Sequence, residues 1–143
     1  MSSKELDNLV RTRLLKAEPS YRAEIDGLLQ SGRVRLNDAK NTTNSLESRF
    51  DLAYNAGHAL ALAALRIRGY RPNEKRYVVF QVLPHTLGLG PEVWRVMDDC
   101  HRRRNFIEYE GRADVDERLV IDLLKAIDAV SLALDRIYDQ PRR

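Results

Sequence analysis

The residues best suited to chemistry lie in one run, His101-Arg102-Arg103-Arg104-Asn105-Phe106-Ile107-Glu108-Tyr109-Glu110-Gly111. Helical spacing carries the apolar face of Trp94 and Met97 onward to His101, Arg104, Asn105 and Glu108. A stripe that begins as core thus becomes imidazole, guanidinium, amide and carboxylate. Such groups are costly to bury unpaired, so they must pair with one another, reach water or line a site. Arg104 and Glu108 stand four residues apart, as do His101 and Asn105, so each pair can touch along one helix face. Two readings fit. One is a structural ion pair, with His101 and Asn105 satisfying it; the other is a polar cleft that binds phosphate and polarises a reacting bond. The three consecutive arginines sharpen the second.

A second polar stripe, Asp51, Asn55 and His58, follows four- and three-residue spacing, with Arg49 nearby. A carboxylate supporting a histidine through an amide suits acid–base work. A solvated helix face has the same pattern. His85, beside Pro84, suits a helix-end capping role. The 3 histidines lie in separate segments without close ligand spacing, and Cys100 is the single cysteine, so neither a metal site nor an intrachain disulfide is expected. The chain has no glycine-rich phosphate loop, nucleophile elbow or paired-histidine zinc motif, and no cofactor is expected. Arg66, Arg68, Arg71, Lys75 and Arg76 surround Tyr70 at one helix junction. That footprint suits phosphate neutralisation and base stacking. Arginines at a helix C-terminus also complement the macrodipole.

The elements that must position these groups read almost wholly as helix. A short one runs from Lys4 to about Lys16, with Leu6, Leu9, Val10 and Leu14 on one side and Pro19 beyond it. Ser20 can cap the next, in which Ile25, Leu28, Leu29, Gly32, Leu36 and Ala39 keep one period to about Asn41. A break at Ser31-Gly32 is the alternative. Asn44 and Glu47 have capping-box spacing and open a long helix closed by Gly69, and its many alanines let a neighbouring helix approach closely. Asn73 can cap a helix through Tyr77, Val78, Phe80, Val82 and Leu83 until Pro84 kinks or ends it. Pro91 suits the first turn of the helix bearing His101, and Gly111 ends that helix. Asp114 with Glu117 opens a last helix to about Tyr138, with Leu119, Leu123, Ile127, Val130, Leu134 and Ile137 as its seam. Tyr77 to Leu83 is the only β-rich run, and one strand makes no sheet. The expectation is a single all-α domain over 1–143, a short N-terminal helix in 1–19 followed by a bundle of long antiparallel helices in 20–143.

With 143 residues, 43% hydrophobic and 31% charged, the chain has the composition of an ordinary soluble domain. A net charge of +3 permits a polyanionic partner without demanding one. No signal-peptide core opens the chain, and Ala59 to Leu65, its most apolar run, is too short to span a bilayer. A cytoplasmic protein with no membrane partner is expected.

Ser48-Arg49-Phe50-Asp51-Leu52-Ala53-Tyr54-Asn55-Ala56, Gly69-Tyr70-Arg71-Pro72 and Arg103-Arg104-Asn105 together resemble a small bacterial HEPN domain, over most of the chain from the helix before Asn44 to Ile137. The resemblance implies a helical bundle with two long antiparallel helices, assembled as a homodimer. It also implies a role in a toxin–antitoxin or RNA-processing system, with RNA, a nucleotide or a partner nucleotidyltransferase as the thing bound. The family's metal-independent endoribonucleases carry an arginine, a polar residue, three variable residues and a histidine. Arg104 and Asn105 match the first two positions, and Tyr109 stands at the histidine's. Tyrosine, with an ordinary pKa near 10, is a poor base at neutral pH. The resemblance therefore implies a non-catalytic RNA- or nucleotide-binding module, with His101, Arg104, Asn105, Glu108 and Tyr109 as ligand-binding candidates. Arg104 would be the main anion contact and Glu108 the residue orienting it. The alternatives are an atypical endoribonuclease, with Tyr109, His101 or His58 moving the proton, and a structural antitoxin or scaffold.

Overall fold

The computed structural model describes residues 3–110 and 115–138, the side chains of 108–110 excepted. Seven helices and one two-stranded ribbon occupy these residues: α1 (Lys4–Arg11), β1 (Leu15–Ala17), α2 (Arg22–Ala39), α3 (Leu46–Ile67), β2 (Tyr70–Pro72), α4 (Val78–Gln81), α5 (Leu83–Thr86), α6 (Pro91–Glu110) and α7 (Glu117–Ile137). Among them no helix is long and apolar enough to cross a membrane.

The middle of the bundle is α3, the helix richest in small residues. Its partners meet it in reverse order. Glu24, Gly32 and Ala39 of α2 lie against Arg66, Leu60 and Arg49, so α2 and α3 run antiparallel. Tyr54 and Gly57 meet His101 and Met97, so α6 also opposes α3. The α2–α7 pairs Asp26–Tyr138, Arg33–Asp135 and Lys40–Asp128 again run in opposite directions. Close approach is built into α3 itself. A Cβ at Gly57 would sit 2.7 Å from Met97 Cε and 3.2 Å from Ile127 Cγ1, so a side chain there would push α6 and α7 apart. Val120, Leu123, Ile127, Val130 and Leu134 complete the core from α7.

Several boundaries differ from the sequence reading. The first helix stops at Arg11 rather than near Lys16, because Arg13 adopts φ 68° and turns the chain into β1. Leu15 to Ala17 then pair antiparallel with Pro72 to Tyr70, a ribbon the sequence reading lacks. Both strands are three residues long, too short to show alternation. Helix α2 is continuous through Gly32, whose missing side chain leaves room for Leu60. Its N-cap is Tyr21 rather than Ser20 and contributes no side-chain bond. Ser45, one residue after Asn44, caps α3 by accepting from the Ser48 amide. Gly69, at φ 90°, lets the chain leave α3 and enter β2. The expected helix from Asn73 is two short turns, α4 and α5, divided at Val82, with Pro84 in the first turn of the second. Asn73 instead donates from its amide to the Arg13 carbonyl. Asp116 caps α7 by accepting from the Leu119 amide. Gly111 and Asp114, read as terminator and cap, lie outside the described residues.

Candidate functional site

The two polar stripes read separately in the sequence are one cluster. Because α6 crosses α3 antiparallel, the Arg104 level meets the Asp51 level, and Arg104 Nε donates to Asp51 Oδ1 at 3.3 Å. The Arg104 guanidinium lies 4.9 Å from the centre of the Tyr54 ring, a cation–π arrangement. Asn55 holds Asp51 from one turn away, its amide donating to the Asp51 carbonyl at 2.9 Å and to Oδ2 at 3.4 Å. Arg104 thus makes a contact between helices that its spacing from Glu108 does not indicate. The side chains of Glu108 and Tyr109 lie outside the described residues.

His101 stands on the same face. Its Nδ1 is 3.1 Å from the Tyr54 hydroxyl and its Nε2 is 3.3 Å from the Asn105 amide nitrogen. An amide N–H only donates, so Nε2 accepts and a neutral ring carries its proton on Nδ1. Tyr77 stacks on the imidazole with centroids 4.8 Å apart. Burial holds the His101 pKa below its ordinary value; Asp98 opposes that shift, and Arg102 and Arg104 add to it.

The third member of the α3 stripe, His58, turns inward, 7% exposed, with its ring edge-to-face with Phe80 at 5.9 Å. Its Nδ1 faces Arg76 Nη2 at 3.5 Å, and its buried Nε2 has no hydrogen-bond partner. Burial first, and then the positive charge of Arg76, lower its pKa to about 4. At neutral pH this ring carries no charge.

The arginine triplet divides its work. Arg102 pairs with Asp98 at 3.0 Å and Arg103 with Asp99 at 3.2 Å, each one turn back on α6, while Arg104 reaches across to α3. The basic junction around Tyr70 is largely consumed by the fold. Arg66 is buried among Glu18, Glu24 and three carbonyls, Arg68 donates to the Thr86 carbonyl, and Arg71 pairs with Glu18 and Glu24. Tyr70 is buried and donates its hydroxyl hydrogen to Asp7, so its ring offers no face for stacking a base. Cys100 is buried, which pushes its thiol up to about 12 and keeps it protonated. His85 is exposed at the end of α5.

Tyr54 and Tyr77 are site residues that the sequence reading passed over. The signal for Tyr54 was available: it lies three residues after Asp51 and four before His58, on the stripe itself. Tyr77 gave none, because its approach to His101 depends on how the chain returns after β2. In comparisons with known proteins, no family model, no curated protein and no solved structure matches the chain.

Proposed function

We propose that the chain is a HEPN-like RNA- or nucleotide-binding module without catalytic turnover, whose ligand site is the cluster of Arg104, Asn105 and His101 against Tyr54 and Asp51. The observation that carries this reading is the bridge between helices. Arg104 is held by a carboxylate on one side and an aromatic face beneath, yet its side chain keeps 29% of its surface open. A guanidinium placed this way can exchange part of its contact with Asp51 for a phosphate oxygen, charge against charge. Exposed Asn105 supplies a neighbouring amide, and the half-buried Tyr77 ring an aromatic edge.

Binding is favoured over catalysis because the histidine of the cluster already spends its acceptor nitrogen. His101 Nε2 takes the Asn105 N–H, and His58 is buried away from solvent. A general base must reach its proton with an available pair. Exposed Phe106, next to Asn105 on α6, is the apolar contact through which two copies would pair, and a clean monomer by light scattering at micromolar concentration removes that part of the proposal.

The test is fluorescence anisotropy with a short labelled single-stranded RNA. Arg104→Ala weakens binding about tenfold, the loss of one charge-assisted contact, while Arg118→Ala on α7 leaves it unchanged. Affinity falls as salt rises. Equal affinity of wild type and folded Arg104→Ala returns the cluster to a structural ion pair. Metal-independent RNA cleavage that disappears in Arg104→Ala overturns the non-catalytic reading.

A further inference from the structure

Between α2 and α3 runs an open groove of about 430 Å³, lined by Leu28, Ser31 and Arg35 on one helix, Asn55, His58, Ala59 and Leu62 on the other, and Arg76 from the segment before α4. Its volume falls within the range of small-molecule sites. The lining contains no carboxylate. Neither Arg35 nor Arg76 has an acidic partner among the described residues: Arg35 donates to the Ser31 carbonyl and hydroxyl one turn back, and Arg76 faces the neutral His58. These two differ from Arg66, Arg71, Arg102, Arg103 and Arg104, which all have carboxylates. Two uncompensated guanidinium groups facing one concavity make a positive potential that an anion would satisfy.

The groove is also polarised along its length. Since α2 and α3 run antiparallel, with Glu24 at Arg66 and Ala39 at Arg49, the Arg35 end lies beside Asn55 and the Leu28 end beside Leu62. Ser31, His58 and Ala59 fall between, and Arg76 enters at the His58 level. The two guanidinium groups thus lie at one end and the middle of the groove, and the leucines at the other end. We infer that this groove binds an organic phosphate monoester, its dianionic head taken by Arg35 and Arg76 and its apolar body lying along Ala59, Leu62 and Leu28. The site stands on residues apart from Arg104 and goes beyond the RNA-binding reading; either can fail without the other.

The probe is phenyl phosphate, which joins the two chemistries in one small molecule. Titrated into the ¹⁵N-labelled protein, it shifts amide resonances of 28–35 and 55–62 in saturable fashion at millimolar concentration. Arg35→Ala and Arg76→Ala each weaken it about tenfold, as expected for one charge-assisted contact, while Arg104→Ala and Arg118→Ala do not. Phenol, lacking the charge, and inorganic phosphate, lacking the body, each bind more weakly than phenyl phosphate. The inference is overturned if no saturable shift occurs in this groove, if the Arg35→Ala and Arg76→Ala proteins, still folded by circular dichroism, bind as wild type does, or if benzoate binds as tightly. That last outcome would make the groove a general carboxylate site.

Discussion

Two arginines that meet α3 show how the same side chain can serve opposite ends. Arg66, on α3 itself, is 1% exposed, and each of its five N–H donors is used: on both Glu24 oxygens and on the carbonyls of Glu18, Pro19 and Tyr70. It fixes the start of α2, the end of α3 and the entry to β2 in one place. Arg104, reaching α3 from α6, has a longer contact with Asp51, itself exposed, and keeps much of its own surface in water. Solvent access separates the two arginines. Charge does not.

The contrast is sharpest in stability. Arg66→Ala leaves Glu24 with Arg71 alone and takes a donor from three carbonyls, and should cost about 3–5 kcal/mol in urea unfolding. A loss below about 1 kcal/mol would place Arg66 with ordinary surface pairs and erase the distinction.

His58 supplies the intermediate case, a buried group that stays neutral rather than finding a counter-charge. Its folded pKa of about 4 lies below the ordinary 6.5, so between those values the unfolded chain binds the extra proton. Stability from this group is therefore complete above about pH 6.5 and is lost as the pH falls towards 4, in total about 3 kcal/mol. His101 shifts the same way, so the contribution of His58 is isolated by comparison with His58→Gln. Unfolding free energies should fall more steeply between pH 6.5 and 4.5 in wild type than in the variant. Parallel curves would mean that His58 is charged in the folded protein.

The smallest effect should be that of Arg104→Ala on the fold. A partly exposed pair is worth less than about 1 kcal/mol, so the unfolding midpoint should barely move even as RNA binding weakens. A large stability loss from Arg104→Ala would make the two arginines alike.

The long helices were legible in the sequence because each carries enough turns for its apolar period to show. That is why α3, α6 and α7 stand close to where the pattern placed them. The ribbon was hidden, since Leu15 to Ala17 is too short for periodicity and meets Tyr70 to Pro72 only in the folded chain. The site was half legible. Asp51, Asn55 and His58 could be placed on one face, and His101, Arg104 and Asn105 on another, by spacing alone. That the faces meet depends on the antiparallel crossing of α6 on α3, which local spacing does not encode. The same limit hid the Arg104–Asp51 contact, since spacing alone offers Arg104 only neighbours on its own helix. Arg66 was readable in part: it follows Ala63 by three residues, on the buried side of an alanine-rich helix, where a charge demands a compensating set of partners.

The ribbon also bears on the order in which the chain assembles. Leu15 to Ala17 precede α2, but the strand they pair with comes only after α2 and α3, and it is brought back to them by the turn at Gly69. The α2–α3 hairpin needs only the short 40–45 loop to close, whereas the ribbon spans both helices, so the hairpin closes first and the N-terminal segment docks onto it afterwards. A segment added last is also the one whose release leaves the α2, α3, α6 and α7 contacts intact. The segment before α2 is therefore among the last to become native and among the first to open, and slow exchange at the Lys16 and Glu18 amides, which face the ladder, would mark the completed fold.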